Sequence, residues 1–123
     1  MEKTGVTGLP RGARGGKTLL YRADMDALRV REDNVVPYLS RPKDVAHVCS
    51  HDPHMALALT AAKLLNGMKD EIAENVKFIF QPNEELAPGG AQLMIDEGFM
   101  ENPRVDARLG STSGRSSPSG AWV

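Results

Sequence analysis

The 123-residue chain carries 15 Lys and Arg against 16 Asp and Glu, a net charge of −1, with 41% hydrophobic residues and a single cysteine. That content suits one modest domain, excludes an internal disulfide and with it the disulfide-stapled secreted class, and argues against counterion-driven nucleic-acid binding. No apolar run approaches the roughly 18 residues that span a bilayer, and Met1-Glu2-Lys3-Thr4-Gly5 has no signal-peptide core, so the composition predicts a cytoplasmic protein with neither nucleic-acid nor membrane partners.

The segment through Gly16 is rich in Gly and Arg and reads as a loop or turn leading inward. Lys17 to Ala23 is short and β-favouring, a strand that ends in Asp24-Met25-Asp26. Residues 29–48 hold two prolines, scattered charges and no period, which is the pattern of a long surface loop. A helix follows, with Asp52 as N-cap, Pro53 at the first position and Gly67 as a left-handed C-cap. Its Ala, Leu and Met content from His54 to Leu65 surrounds most of the circumference and predicts a buried helix, after which Lys69 to Glu74 form a polar helical turn. Val76-Lys77-Phe78-Ile79-Phe80 is a strand buried on both faces, Gly90 to Glu97 an amphipathic helix stopped by Gly98, and Val105 to Leu109 a further strand. Alternating strands and helices predict an α/β sheet over residues 1–110, and the Ser- and Gly-rich residues 111–123 an unpacked, disordered tail.

Three polar clusters stand out: Asp24 with Asp26, Cys49 with His51, Asp52 and His54, and Glu84 with Glu85. Cys49 and all three histidines, His47 included, fall in one short window. Two clusters follow strands and the third precedes a helix, so all three converge where α/β sheets bind ligands. Thiolate, imidazole and carboxylate together are the donor set for zinc or a similar divalent ion, which lowers the pKa of a water so that a nearby carboxylate can take its proton. Pro82 and Asn83 end the strand before Glu84 and Glu85, which lets both carboxylates face one site. Taken singly, each has a structural reading: Cys49 as a small hydrophobe, Asp52 as a cap, the glutamates as a solvated pair, the aspartates as turn residues.

Other motifs fail. Gly12 to Thr18 has a phosphate loop's composition but the wrong glycine spacing, and it leads into a strand rather than out of one. Ser50-His51-Asp52 are consecutive and cannot line up as a triad. A Cys49–histidine nucleophilic pair is chemically sound but leaves the acidic clusters unused.

Arg22-Ala23-Asp24-Met25-Asp26-Ala27-Leu28, His47-Val48-Cys49-Ser50-His51-Asp52-Pro53-His54 and Phe80-Gln81-Pro82-Asn83-Glu84-Glu85, with Gly89-Gly90-Ala91 following, closely resemble the metal-dependent amidohydrolases. These are aminoacylases, hippurate hydrolases and indole-acetyl-amino-acid hydrolases of the zinc-peptidase superfamily. The resemblance implies part of a zinc-peptidase-like catalytic domain, a mostly parallel sheet flanked by helices, without the dimerisation domain. It implies cleavage of the amide bond of an N-acyl amino acid at a site of two divalent ions, whether Zn, Mn, Co or Ni. By motif position Cys49, His51 and Glu85 look like metal ligands and Glu84 like the general base. Asp26 looks like the carboxylate orienting a ligand, with Asp24, Asp52 and His54 nearby or on the substrate side. The family's usual Gly between Cys and His is Ser50 here, a strained substitution if the position needs φ > 0. No histidine follows Asp106, and family members are longer, so the expectation is weak binding of one ion and little or no turnover. The alternative is a non-catalytic remnant or interaction module with a vestigial metal site, made partner-dependent by an exposed sheet edge.

Overall fold

The computed structural model describes residues 5–111. Two β-favouring segments form its centre: β2 (Thr18–Asp24) pairs in parallel with β3 (Asn75–Gln81), in a register running from Thr18 opposite Asn75 to Asp24 opposite Gln81. The two strands therefore finish level, and the residues after Asp24 and after Gln81 leave the sheet side by side. The connection between them runs through helix α1 (His51–Gly67). Beyond β3 lie α2 (Gly90–Asp96) and β4 (Ala107–Gly110), which pairs in parallel with the other side of β2. An outer strand, β1 (Val6–Gly8), runs antiparallel along β3 and completes the order β1-β3-β2-β4.

Strand alternation divides the core. Tyr21, Ala23, Phe78 and Phe80 face α1 and meet Met55, Ala58, Ala62 and Leu65. Leu20 and Ile79 point the other way, against Met94 of α2 and Phe99, Met100 and Val105. Cover on both faces explains why β3 is an unbroken apolar run.

At the amino end of the sheet the polar groups are paired off. The Thr18 amide donates to Asp106 Oδ2 (2.8 Å) and the Asp106 amide to Thr18 O (2.9 Å). Asn75, buried, donates its side-chain amide to Gly16 O (3.1 Å) and its backbone amide to Lys17 O (2.8 Å). Lys77, also buried, donates from Nζ to the carbonyls of Phe99 (2.6 Å) and Pro103 (2.9 Å). Burial pushes its pKa below the usual lysine value, with Glu101 opposing.

Several expectations need correction. The glycine-rich lead-in contains β1, and residues 10–16 lie along 72–76, where a Cβ on Gly12 would come within 2.2 Å of Glu74 O. The lead-in runs straight into β2, so it is no phosphate loop. Helix α1 starts at His51, with Ser50 rather than Asp52 at the N-cap, and Gly67 is its last helical residue instead of a left-handed cap. Among the described residues only one side of α1 is covered: Leu57, Leu59 and Leu64 are each about 60% exposed. The polar turn after α1 persists as a hydrogen bond from the Glu71 amide to Met68 O (2.9 Å), and β4 starts two residues later than expected. The tail from residue 112 on lies outside the described residues.

The long loop has a closed base. Leu28 and Ala46 form an antiparallel bridge with both amides bonded across it, at 3.1 and 3.0 Å. Residues 29–45 are thereby an excursion whose two feet are pinned together, and the chain resumes beside Asp26 to enter α1. Within the loop, Glu32 accepts from the Ser40 amide (2.9 Å) and from Asn34 (3.1 Å), and these bonds hold its carboxyl below the usual value.

Candidate metal centre

Three chain segments meet at the carboxyl end of the sheet. Past β2, the Met25 amide donates to Gln81 O (3.0 Å), which keeps the chain against β3 for one more step and presents Asp26 beyond the strand. Past β3, Asn83 takes a left-handed conformation (φ 54°), and its carbonyl accepts from the Gly90 amide (2.9 Å). Gly90 must be glycine here, because a Cβ would lie 1.8 Å from Pro82 O. This tight turn breaks strand alternation and lets Glu84 and Glu85 face one point. The Glu85 amide donates to Asp26 Oδ2 (3.0 Å), tying the two strand ends together.

The third segment enters through Ser50, at φ 64° and ψ 25°. A serine there bears the strain anticipated from the sequence, because β-carbon crowding disfavours left-handed backbone outside glycine. The turn starts α1 at His51 and places His54 one helical turn on, the two rings stacked at 5.9 Å. Both histidines are buried.

His51 occupies the middle of the cluster. Its Nδ1 lies 3.0 Å from Asp26 O, and since a carbonyl can only accept, Nδ1 carries the proton. Asp26 Oδ1 is 3.2 Å from the same nitrogen. Nε2 then presents its lone pair to Glu85 Oε1 at 3.7 Å, Glu84 Oε2 at 3.9 Å and Asp24 Oδ2 at 3.9 Å. A lone pair facing carboxylates without a hydrogen bond is an arrangement that calls for a cation between them. A ligating histidine characteristically donates its other N–H to a carbonyl or carboxylate, as His51 does. One atom each from His51, Glu84 and Glu85 lies within 4.8 Å of the others, a group able to hold a metal ion.

Asp24 is buried behind this group. It pairs with Arg22, whose Nε donates to Gln81 Oε1 (2.9 Å), and its Oδ2 lies 3.6 Å from His54 Nδ1. Neither ring nitrogen of His54 has a hydrogen-bond partner, and Asp26 Oδ1 has none either. Such orphaned buried atoms are rare in a finished fold and common where something else binds.

The exposed Cys49 thiol stands at the edge of the cluster. A hydrogen bond with Glu85 pushes its pKa up, reinforced by desolvation and by the charges of Glu85, Glu84 and Asp26. The structure thus brings together Asp24, Asp26, Cys49, His51, His54, Glu84 and Glu85. Asp52 is exposed on the first turn of α1, and His47 is exposed, close enough for its charge to act on Glu32. Sequence reasoning missed Arg22 and Gln81, which hold Asp24. Arg22 was findable two residues before Asp24 on an alternating strand, whereas Gln81 emerges only from the strand register. Beside the cluster, a cleft of about 760 Å³ opens between residues 25–30 and 82–93.

A mainly parallel α/β sheet with imidazole, carboxylates and thiol gathered at its strand ends is the architecture of a metal-binding hydrolase fold. The chain belongs to the peptidase family M20/M25/M40, which residues 20–121 match, in accord with the resemblance carried by the three motifs. It is 39% identical over 109 residues to an N-acyl-L-amino acid amidohydrolase of Geobacillus stearothermophilus, covering 89% of this chain and 29% of that protein. It is 44% identical over 121 residues to thermostable carboxypeptidase 1 of Saccharolobus solfataricus, covering 98% and 30%. Among solved structures it is similar to the YXEP protein of Bacillus subtilis, described as a dinuclear metal binding peptidase from the M20 family, with a TM-score of 0.83, 37% identity and coverage of 91% and 31%. The chain therefore spans about 30% of the length of these relatives. Among the described residues no helix is long and apolar enough to cross a membrane.

Proposed function

We propose that this chain carries one metal-binding edge of a hydrolase that cleaves the amide bond of N-acyl amino acids. The observation that carries the reading is His51, with Nδ1 bonded to Asp26 O and Nε2 turned to Glu84 and Glu85. In this reading His51, Glu85 and Cys49 hold the ion, and the soft thiolate favours zinc over manganese, cobalt or nickel. The ion would supply Lewis acidity toward a water and the amide carbonyl.

The remaining work falls to the protein. Asp26 fixes the tautomer and orientation of His51 and, through the Glu85 amide, the position of that carboxylate. Glu84, the more exposed glutamate at 39% against 24%, has the freedom to take a proton from the attacking water and return it to the departing amine. Asp24, neutralised by Arg22, backs both histidines. Asp52 is assigned to the positive end of α1 instead of to the site. An exposed free thiol suits a reducing, cytoplasmic setting.

The N-acyl amino acid substrate is favoured by the Geobacillus relative, and the Saccharolobus relative favours a second reading, removal of C-terminal residues from peptides by the same chemistry. The described cluster offers donors for one ion, so weak binding of a single ion and slow turnover are expected. Calorimetric titration of the chain with Zn²⁺, Mn²⁺ and Co²⁺ tests this. One ion bound, and bound more weakly by Cys49→Ala and Glu85→Gln, supports the reading. No binding above background in the parent chain favours the remnant. Efficient hydrolysis of hippurate, abolished by Glu84→Gln, would overturn the expectation of slow turnover.

A further inference from the structure

The sheet is paired on one side of β4 and open on the other. β4 runs parallel to β2, all of its residues are exposed, and among the described residues no strand lies beyond it. The Asp106 amide donates inward to Thr18 O, and in a parallel ladder alternate residues turn both backbone groups to the same neighbour. Asp106 and Arg108 therefore bond toward β2, whereas Ala107 and Leu109 present amide and carbonyl to the open edge. The side chains along this edge carry both signs of charge. Among the described residues Arg108 has no ion pair, and Asp106 uses Oδ2 for the Thr18 amide while its Oδ1 has no partner.

We propose that the open edge of β4 is a self-association surface, which pairs antiparallel with β4 of a second copy about a two-fold axis through Ala107. A two-fold contact sets each residue against the one equally far beyond the axis. Ala107 then exchanges both backbone bonds with Ala107 of the second copy, and the Leu109 amide meets the Val105 carbonyl. Asp106 falls opposite Arg108 of the second copy, and Arg108 opposite its Asp106. Both pairs occupy non-hydrogen-bonded positions, where cross-strand side chains approach most closely. The same charges reject the neighbouring registers. An axis through Arg108 would set the two copies of Arg108 against each other, and an axis through Asp106 would set Arg108 against Arg104. An arginine on an edge strand ordinarily discourages pairing, but with an acid two residues before it the charge selects one register instead. Because the paired strands run oppositely, the two clusters at the carboxyl ends point to opposite ends of the joined sheet, and neither is covered. The pairing stands whether or not the cluster hydrolyses amides.

Sedimentation velocity of the full chain over a concentration series tests the proposal, together with hydrogen exchange. The contact is shorter than a standard interface, so the dissociation constant should be on the order of 100 µM and should rise with salt. As dimer forms, the Ala107 and Leu109 amides should gain protection, while the Arg108 amide, already in the ladder with β2, should change less. Arg108→Glu converts both ion pairs into like-charge pairs and should weaken association about tenfold or more, with salt now strengthening it. Ala107→Pro removes an outward amide and leaves the β2 ladder intact, so it should abolish the dimer with the circular dichroism spectrum unchanged. Arg108 is exposed and unpaired, so its substitution keeps the test decisive even where the proline disturbs the strand. A dimer that survives Arg108→Glu undiminished, or that forms without protecting Ala107 and Leu109, overturns the proposal and places the contact elsewhere, as on the exposed leucines of α1. A chain that stays monomeric to about tenfold above the expected constant overturns it as well.

Discussion

The two ends of the same pair of strands are built differently. At the amino end, Thr18, Asn75 and Lys77 are buried polar residues: the Thr18 amide reaches the Asp106 carboxylate, and the side chains of Asn75 and Lys77 reach backbone carbonyls. At the carboxyl end, His54 has two buried nitrogens without a hydrogen bond, Asp26 has an orphaned oxygen, and among the described residues both non-glycine residues with positive φ, Ser50 and Asn83, flank the cluster. Polar groups at the first end close a structure, and those at the second are held in place at the structure's expense. Strain and unmet hydrogen-bonding capacity gathered in one place are the signature of a site.

If the comparison is right, substitutions at the two ends have opposite signatures. Glu85→Gln or His51→Asn should weaken Zn²⁺ binding by about 100-fold or more while leaving the thermal midpoint of the metal-free chain nearly unchanged, measured by calorimetry and by melting. Lys77→Met should do the reverse, costing about 1–3 kcal/mol in urea unfolding by stranding the Phe99 and Pro103 carbonyls, with Zn²⁺ affinity preserved. The same lysine gives a pH test. Its folded pKa is depressed, so between that value and the usual lysine value of about 10.4 the unfolded chain binds more protons, and stability rises with pH across the window. Lys77→Met should lack that component.

A smaller effect sharpens the contrast. His54→Leu removes two unpartnered nitrogens and should change stability by about 1 kcal/mol or less, toward greater stability, while lowering Zn²⁺ affinity. A loss of several kcal/mol would mean that His54 is a structural residue like Asn75. Smallest of all, Glu32→Gln should speed hydrogen exchange of the Ser40 amide near neutral pH without altering either end of the sheet. Because the Glu32 carboxyl is held low, its hold on Ser40 is complete above the ordinary carboxylate range, and in the parent chain it fades as pH falls through the lowered value.

Much of this was legible in the sequence, and what was not has physical causes. The central strands, both helices and the convergence of three polar clusters follow from apolar runs, caps and the rule that ligands gather at strand ends. Strand β1 was hidden because Val6–Gly8 is short and exposed along its length, leaving no alternation to read. The start of α1 was misplaced by two residues because Asp52 followed by Pro53 is the stronger start signal in the sequence, and the left-handed turn at Ser50 is set by the site. The outer leucines of α1 made the helix read as buried, yet in the described residues nothing covers them. Asp52 joined the cluster by its place in the motif beside His51, but on the helix it is exposed and points about 100° away from His51.

The pinned base of the long loop carries one more consequence. Because Leu28 and Ala46 bond to each other, the distance from Asp26 to Cys49 is set by that clasp and not by the residues between. The loop can lengthen, shorten or change sequence at a closure cost that grows only logarithmically with its length. Arg29 and Val30 sit at its foot, in the cleft, outside the clasp that holds the donor atoms. The cleft wall is thus separable from the donor cluster, and variation can accumulate in one segment without disturbing the geometry of the other.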